Sequence, residues 1–358
     1  MTHRCSLALG LLALSLATSA ATLPLVPIEQ VGKDYTHPHQ RVDVGQGRMM
    51  NLYCVGQGAP TVVFDGGGFD WSVTWALVQP AVAARTRACS YDRAGLGYSD
   101  PSPRPPTPAN VVDDLHTLLE RAGIDGPVVL VGHSLGGFNM KLYAATYPDQ
   151  VVGLVLVDPS EERATQRIGA AMAAKFGQPL VDESEADDRE SIAGAIAHFG
   201  DCVKAADAGQ LAPIYAQCSD PPRPQLGPEI LAERARLQQA PTHQRTQQAE
   251  LQYSIYGPDT SADARYAGLF GQPLAFGDKP LVVLSSSMFD MAPPFGELNY
   301  ASMSALHTQT AALSSRGLRR MVPRSRHNVQ IDQPQAVVDA IVEVLDEVAG
   351  KPAARSAR

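Results

Sequence analysis

The sequence predicts an α/β protein with a mostly parallel central sheet flanked by helices, and two observations support this prediction. Short apolar runs alternate along the chain with amphipathic helical patterns, and several of these runs are apolar at every position. Strands have this composition when helices cover both faces of the sheet. The 358 residues are enough for one large α/β domain or for two ordinary ones.

The predicted strands and helices follow one another in regular order. Strand-like runs cover residues 49–55, 60–64, 86–91, 128–131, 151–157, 281–285 and 318–322, and helical patterns cover 109–122, 137–147 and 334–348. In the last of these helices Val337, Ile341 and Leu345 recur every four residues, which places them on one buried face. Such alternation indicates parallel strands joined by right-handed crossovers.

Residues 160–275 interrupt this alternation. They contain few strand signals and are rich in alanine, glutamine and charged residues, with helical stretches near 161–176, 230–239 and 244–255. A segment of this length is not a plain loop in a compact domain. We therefore expect a helical cap at 160–275, inserted between two parts of one core at 21–159 and 276–350, and a flexible tail at 351–358.

The first twenty residues have the pattern of a secretory signal peptide. A short basic start with Arg4 precedes an apolar stretch over residues 7–17, and small residues follow as far as Ala21. That stretch is too short to span a bilayer, and no later stretch is long enough, so we expect no membrane span in the mature form. The sequence predicts a signal peptide at 1–20, cleavage near Ala20, and a periplasmic or secreted protein. An uncleaved membrane anchor is the alternative.

The composition is that of an acidic globular protein. Lys and Arg total 29 against 37 Asp and Glu, so the formal net charge is −8 at pH 7. Such a surface repels phosphate backbones and the chain has no basic cluster, so nucleic acid is excluded as the default partner. The chain has no His-Glu-x-x-His motif and no Cys/His cluster with metal-ligand spacing, so we expect neither a metal nor a cofactor. The oligomeric state is not predicted by these features.

Four cysteines follow the predicted signal peptide, as suits an oxidising compartment. Cys202 and Cys218 lie 16 residues apart in a segment poor in regular structure, where a disulfide would restrain the loop. Cys54 and Cys89 each lie in a predicted strand, where they either pair or remain buried free thiols. Four cysteines allow three connectivities, so we predict the first pair and leave the second open.

The strongest chemical signal is Gly132-His133-Ser134-Leu135-Gly136, which matches G-x-S-x-G. A predicted strand runs directly into this motif and a helix begins directly after it. A sharp strand-to-helix turn needs small residues two positions before and after the serine, because a side chain there would collide with neighbouring backbone. The turn holds the Ser134 hydroxyl clear of the sheet. The helix N-terminus places N–H groups and a partial positive charge beside it.

Three sequence blocks resemble the α/β-hydrolase fold serine hydrolases, in their capped esterase- and lipase-like branch. They are Val62-Val63-Phe64-Asp65-Gly66-Gly67-Gly68, then Tyr91-Asp92-Arg93-Ala94-Gly95-Leu96-Gly97-Tyr98-Ser99-Asp100, and the serine motif with the later Tyr147-Pro148 and Gly153-Leu154-Val155-Leu156-Val157-Asp158. The resemblance covers nearly all of the mature chain outside residues 160–275, and it implies the α/β-hydrolase fold with an inserted helical cap. In the second block, we interpret Asp92 and Arg93 as scaffold, with contact to substrate as the alternative.

The resemblance also implies a set of site residues. Ser134 would be the nucleophile, and the base would be a histidine that follows it in the chain. The candidates by order are His198, His243, His307 and His327. His327 lies in the loop before the last helix, where relatives carry the catalytic histidine, and we assign it the role of base. For the acid that orients this histidine, we favour Asp158 at the end of one strand over Asp290 beyond the next.

In the family, two backbone N–H groups form the oxyanion hole. One belongs to the residue after the nucleophile, here Leu135, and the other to the loop after the third strand. Relatives carry His-Gly in that loop, whereas this chain has Gly66-Gly67. Counting back from Trp75 assigns the second N–H to Gly68. A backbone donor requires no particular side chain, so the missing histidine does not remove the donor.

The resemblance implies an exported serine hydrolase that cleaves a carboxylic ester or related acyl bond of a small molecule through an acyl-enzyme. A serine at this turn argues against dehalogenase and epoxide-hydrolase chemistry, for which this fold uses aspartate. The same triad also serves aminopeptidases, amidases and cofactor-free perhydrolases. A catalytically silent binding protein on the same fold is the alternative outside enzymes.

Overall fold

The computed structural model describes residues 22–288 and 291–350. Within these ranges the strands are β1 (Gln40–Asp43), β2 (Met49–Val55), β3 (Thr61–Asp65), β4 (Ala88–Tyr91), β5 (Val128–His133), β6 (Val151–Val157), β7 (Leu281–Ser285) and β8 (Gly317–Met321). They form one sheet in the order β1-β2-β4-β3-β5-β6-β7-β8. Strand β2 is antiparallel to both of its neighbours, and all other neighbouring pairs are parallel. The predicted α/β class and mostly parallel sheet are confirmed.

Helices connect these strands on both sides of the sheet. They are α1 (Ile28–Val31), α2 (Gln79–Ala83), α3 (Pro108–Arg121), α4 (Leu135–Thr146), α5 (Ala164–Phe176), α6 (Gln178–Asp207), α7 (Gly227–Gln238), α8 (Pro241–Tyr253), α9 (Asp263–Phe270), α10 (Phe295–Ala311), α11 (Val329–Asp332) and α12 (Pro334–Val348). The helices predicted at 109–122, 137–147 and 334–348 correspond to α3, α4 and α12.

The central strands are buried on both faces, which explains their continuous apolar sequences. In β3, Val62 and Phe64 belong to the same hydrophobic cluster as Ile341 of α12, whereas Val63 belongs to the cluster that contains Leu118 of α3. Full burial of a side chain of this size contributes about 1.5–3 kcal/mol to stability. A polar residue on either face of β3 would therefore be destabilising.

Three elements differ from the sequence predictions for identifiable reasons. Strand β1 was not predicted because it has only four residues and just one of them, Val42, is buried. The strand predicted at 60–64 begins at Thr61, because proline has no N–H to donate to a ladder. The 30-residue helix α6 was also not predicted, because only three of its side chains, at Val181, Cys202 and Ala206, are buried and they form no continuous stripe.

Helices α5 to α9 lie between β6 and β7 and are called the helical insertion here. Its side chains reach the loops at the C-terminal ends of the parallel strands. Arg234 of α7 donates a 2.5 Å hydrogen bond to Asp70, and Arg223 pairs with the same carboxylate. Burial raises the pKa of Asp70, but the two guanidinium groups outweigh burial and hold it well below its usual range. These buried ion pairs attach the insertion to the loop after β3.

The structure contains two disulfides. Cys202–Cys218 joins α6 to the segment before α7, as the sequence predicts. Cys54–Cys89, which the sequence left open, links directly opposed positions of β2 and β4.

The predicted signal peptide at 1–20 and the tail at 351–358 lie outside the described residues. No helix within the described ranges is long and apolar enough to cross a membrane.

Candidate active site

Ser134 occupies the turn between β5 and α4. Its φ of +52° and ψ of −123° lie in a region that costs a non-glycine residue about 1–3 kcal/mol. A Cβ atom on Gly132 would clash with the Gly136 carbonyl, and one on Gly136 would clash with the Gly66 carbonyl. Both glycines are therefore required for the tight turn that presents the Ser134 hydroxyl at the C-terminal edge of the sheet.

His327 and Asp158 meet at the same edge. His327 Nδ1 lies 2.7 Å from Asp158 Oδ2, and Ser286 donates from its N–H to Oδ1 (2.8 Å) and from its hydroxyl to Oδ2 (2.9 Å). Burial raises the pKa of Asp158, but these hydrogen bonds and the charge of His327 outweigh burial and lower it. An ionised Asp158 accepts the Nδ1 proton of His327, which leaves Nε2 of the neutral ring as a proton acceptor.

A second serine and a tyrosine lie beside Ser134. Ser160 Oγ is 3.4 Å from Ser134 Oγ, and the Ser160 N–H donates to the Ser134 carbonyl at 2.9 Å. Tyr256, which follows α8 in the helical insertion, hydrogen-bonds to Ser160 through its hydroxyl. Neither residue belongs to a recognisable motif, so neither could be predicted from the sequence. The insertion therefore contributes a phenol to the surroundings of Ser134.

His133, next to the serine, holds the loop that carries His327. Its Nε2 donates a 2.9 Å hydrogen bond to the His327 carbonyl, and the two ring centroids are 4.7 Å apart. Burial, followed by the charge of His327, lowers the pKa of His133 to about 3, so the ring is neutral at physiological pH. It acts as a fixed donor and not as a second base.

The other three histidine candidates are engaged elsewhere. His307 is buried in α10, with its ring nitrogens 2.8 Å from Ser285 Oγ and 3.0 Å from the Pro159 carbonyl oxygen. His198 bonds the Gln217 carbonyl at 2.8 Å. His243 is buried against Trp71, with the ring centroids 5.7 Å apart.

The remaining predicted residues are Gly68 in the loop after β3, Leu135 at the start of α4, and Asp290. A Cβ atom on Gly67 would lie 3.3 Å from Ser134 Cβ, and one on Gly68 would lie 4.0 Å from Leu135 Cδ2, so the loop runs alongside the Ser134 turn. The Leu135 N–H belongs to the first turn of α4, where the helix itself offers no acceptor. Asp290, the alternative acid, lies outside the described residues.

One group of potential metal ligands occurs within the described ranges, at His198, Cys202 and Cys218. The two cysteines form the Cys202–Cys218 disulfide, so their sulfurs do not act as thiolate ligands. This group therefore does not fit a metal.

His243 should make the protein sensitive to mild acid. Burial, followed by the charge of Arg234, lowers its pKa to about 3 from 6.5. The unfolded chain then binds a proton that the folded chain does not, so stability falls as the pH drops below 6.5. Between pH 7 and pH 5 the loss is about 2 kcal/mol. We expect the Tm of His243→Phe to fall less over this interval than that of the wild type, with exposed His37→Phe as control. Equal losses in all three proteins would contradict this assignment.

Comparison with known proteins agrees with the fold. Residues 62–340 match the family described as the alpha/beta hydrolase family. The chain belongs to that family. Strands β4 to β8 and the whole helical insertion lie within the matched residues, together with most of β3 and the part of α12 up to residue 340.

Sequence relatives of this alpha/beta hydrolase match short segments. This chain is 37% identical over 89 residues to the human (Lyso)-N-acylphosphatidylethanolamine lipase. The aligned segment is 24% of this chain and 26% of the lipase. The chain is 32% identical over 105 residues to the uncharacterized protein YqjL of Bacillus subtilis, or 29% of this chain and 42% of YqjL. The chain spans 15% to 42% of the length of curated relatives such as these.

Solved structures match over a greater length. A thermophilic esterase from Thermogutta terrifontis aligns with a TM-score of 0.54 and 20% identity, covering 87% of this chain and 99% of the esterase. At 20% identity, this similarity shows that the two proteins share a fold.

Proposed function

We propose that this alpha/beta hydrolase is a serine hydrolase that cleaves carboxylic esters or related acyl bonds. The observation that carries the proposal is the pairing of His327 with Asp158 at 2.7 Å, on the same sheet edge as the strained Ser134 turn. A nucleophile held clear of the sheet and a histidine oriented by a buried carboxylate are the parts that acyl transfer needs.

In the proposed reaction Ser134 Oγ attacks the acyl carbon while His327 Nε2 takes its proton. His327 then returns this proton to the leaving alcohol, and an acyl-enzyme remains. Asp158 holds the histidine in the required tautomer and stabilises its protonated form. The N–H groups of Gly68 and Leu135 bind the oxyanion of each tetrahedral intermediate. Water, activated by the same histidine, hydrolyses the acyl-enzyme.

The proposal includes export. It rests on the signal-like pattern at residues 1–20, and two disulfides are compatible with an oxidising compartment. A small-molecule substrate follows from the chemistry of the proposed site.

A substrate panel tests the proposed activity. Purified protein should hydrolyse p-nitrophenyl acetate, butyrate or octanoate and should turn over the corresponding p-nitroanilides more slowly. A fluorophosphonate probe should label one peptide, and mass spectrometry should locate the adduct on Ser134. Faster anilide cleavage would assign the enzyme to the amidases instead. Folded protein that neither hydrolyses an ester nor reacts with the probe would refute the proposal.

A further inference from the structure

Arg93 lies behind the Gly66–Gly68 loop, and every N–H group of its guanidinium donates a hydrogen bond. Two of these hydrogen bonds go to main-chain carbonyls of the loop, from Nη1 to Gly66 and from Nη2 to Gly67, each at 2.7 Å. The other three go to carboxylates: Asp65 from Nη1 (2.7 Å), and Glu250 from Nε (2.6 Å) and Nη2 (3.0 Å). A guanidinium has five N–H donors, so none is left for a substrate.

The bond to the Gly67 carbonyl fixes the orientation of the next N–H. In a trans peptide the C=O of one residue and the N–H of the next point in opposite directions. Because Arg93 holds the Gly67 oxygen, the Gly68 N–H points away from Arg93. The Asp70 N–H donates to the same Gly67 oxygen at 3.1 Å, which fixes this peptide plane from a second direction.

Glu250 belongs to α8, and it connects the helical insertion to this loop. Besides its two bonds from Arg93, its Oε2 accepts the Phe69 N–H at 2.6 Å. Glu250, Arg93 and Asp65 are all almost completely buried. Burial lowers the pKa of Arg93, but the carboxylates of Glu250 and Asp65 raise it well above its usual value, so the guanidinium stays charged. One carboxylate of the insertion thus contacts the loop both directly and through Arg93.

We propose that Arg93 and Glu250 are positioning residues that orient the Gly68 N–H for oxyanion binding, so that this donor is in place only while the helical insertion rests on the core. The inference depends on the proposed serine hydrolase activity. It gives Arg93 a role other than substrate contact and makes the insertion part of the catalytic apparatus. An insertion that moved away from the core would remove Glu250 and loosen the oxyanion loop.

Glu250→Gln is the central test, because it keeps the size of the side chain and leaves Asp65 to balance the charge of Arg93. Its amide nitrogen is a donor, so it does not reproduce both carboxylate contacts with the guanidinium. Losing one oxyanion donor outright lowers kcat roughly 10²- to 10³-fold. For a displaced donor we expect kcat for a p-nitrophenyl ester to fall about 10- to 100-fold, with KM changed less than about threefold.

A trifluoromethyl ketone gives a second readout, because its adduct with serine carries the oxyanion. Its inhibition constant should rise by the same factor as kcat falls. Arg93→Lys should behave like Glu250→Gln, since one ammonium does not span two carbonyls and two carboxylates. Asp207→Asn is the matched control: it removes the exposed pair with Arg245, which also lies on α8, and should leave kcat and inhibitor affinity unchanged.

The outcomes separate this inference from the proposed function. If Ser134→Ala abolishes activity but folded Glu250→Gln keeps wild-type kcat and inhibitor affinity, the inference alone is wrong. A Glu250→Gln defect that disappears on cooling in parallel with a lowered Tm would indicate a structural role only and would also overturn it. If Ser134→Ala remains active, the proposed function itself fails.

Discussion

Ser134→Ala is expected to lower kcat for p-nitrophenyl esters by about 10⁶-fold, the largest effect of any single substitution in this chain. The substitution removes the attacking oxygen, so no acyl-enzyme forms. Only substrate binding and the oxyanion donors then remain to accelerate direct attack by water. KM should change little, because the hydroxyl contributes little to ground-state binding. Steady-state kinetics at high enzyme concentration, together with loss of fluorophosphonate labelling, measure this effect.

Ser160→Ala is the matched control for this prediction. Its hydroxyl lies 3.4 Å from that of Ser134 and bonds to Tyr256, so the two serines share one environment. If Ser134 is the nucleophile, Ser160→Ala should still be labelled and should retain kcat within about tenfold. Full activity in Ser134→Ala combined with its loss in Ser160→Ala would reassign the nucleophile.

The core of the fold was predictable because its signals are local. Continuous apolar strands such as β3 arise from burial on both faces, and this burial determines residue type at each position. The motif around Ser134 was predictable for a related reason. Gly132 and Gly136 face main-chain atoms at distances that exclude a side chain. The turn therefore requires glycine at both positions, and this requirement is visible in the sequence.

Glu250, Tyr256 and the role of Arg93 were harder to predict, because they depend on contacts between distant parts of the chain. Glu250 and Tyr256 belong to or follow α8, a polar helix with no distinctive motif, and they meet residues more than 90 positions away. Arg93 was visible within a motif and was interpreted as scaffold. Its alignment with the loop carbonyls becomes evident only when the insertion and the sheet edge are seen together.

The second large effect on kcat is expected at Asp158, the carboxylate that orients His327 in the proposed reaction. Asp158→Asn is expected to lower kcat by about 10⁴-fold with little change in KM. The amide that replaces the carboxylate donates a hydrogen bond, and this favours the tautomer of His327 with its proton on Nε2. That tautomer has no lone pair for the Ser134 proton, and the protonated ring loses its counter-charge.

Asp290→Asn is the control for Asp158→Asn, because both carboxylates are candidates for the acid on the sequence alone. Within the part of the chain that the structure describes, Asp158 contacts His327 at 2.7 Å, and we therefore expect Asp290→Asn to keep kcat near the wild-type value. Both variants should be compared by kcat, KM and Tm on the same ester. A large kcat loss in Asp290→Asn with a mild one in Asp158→Asn would mean that the working enzyme pairs His327 with the later acid.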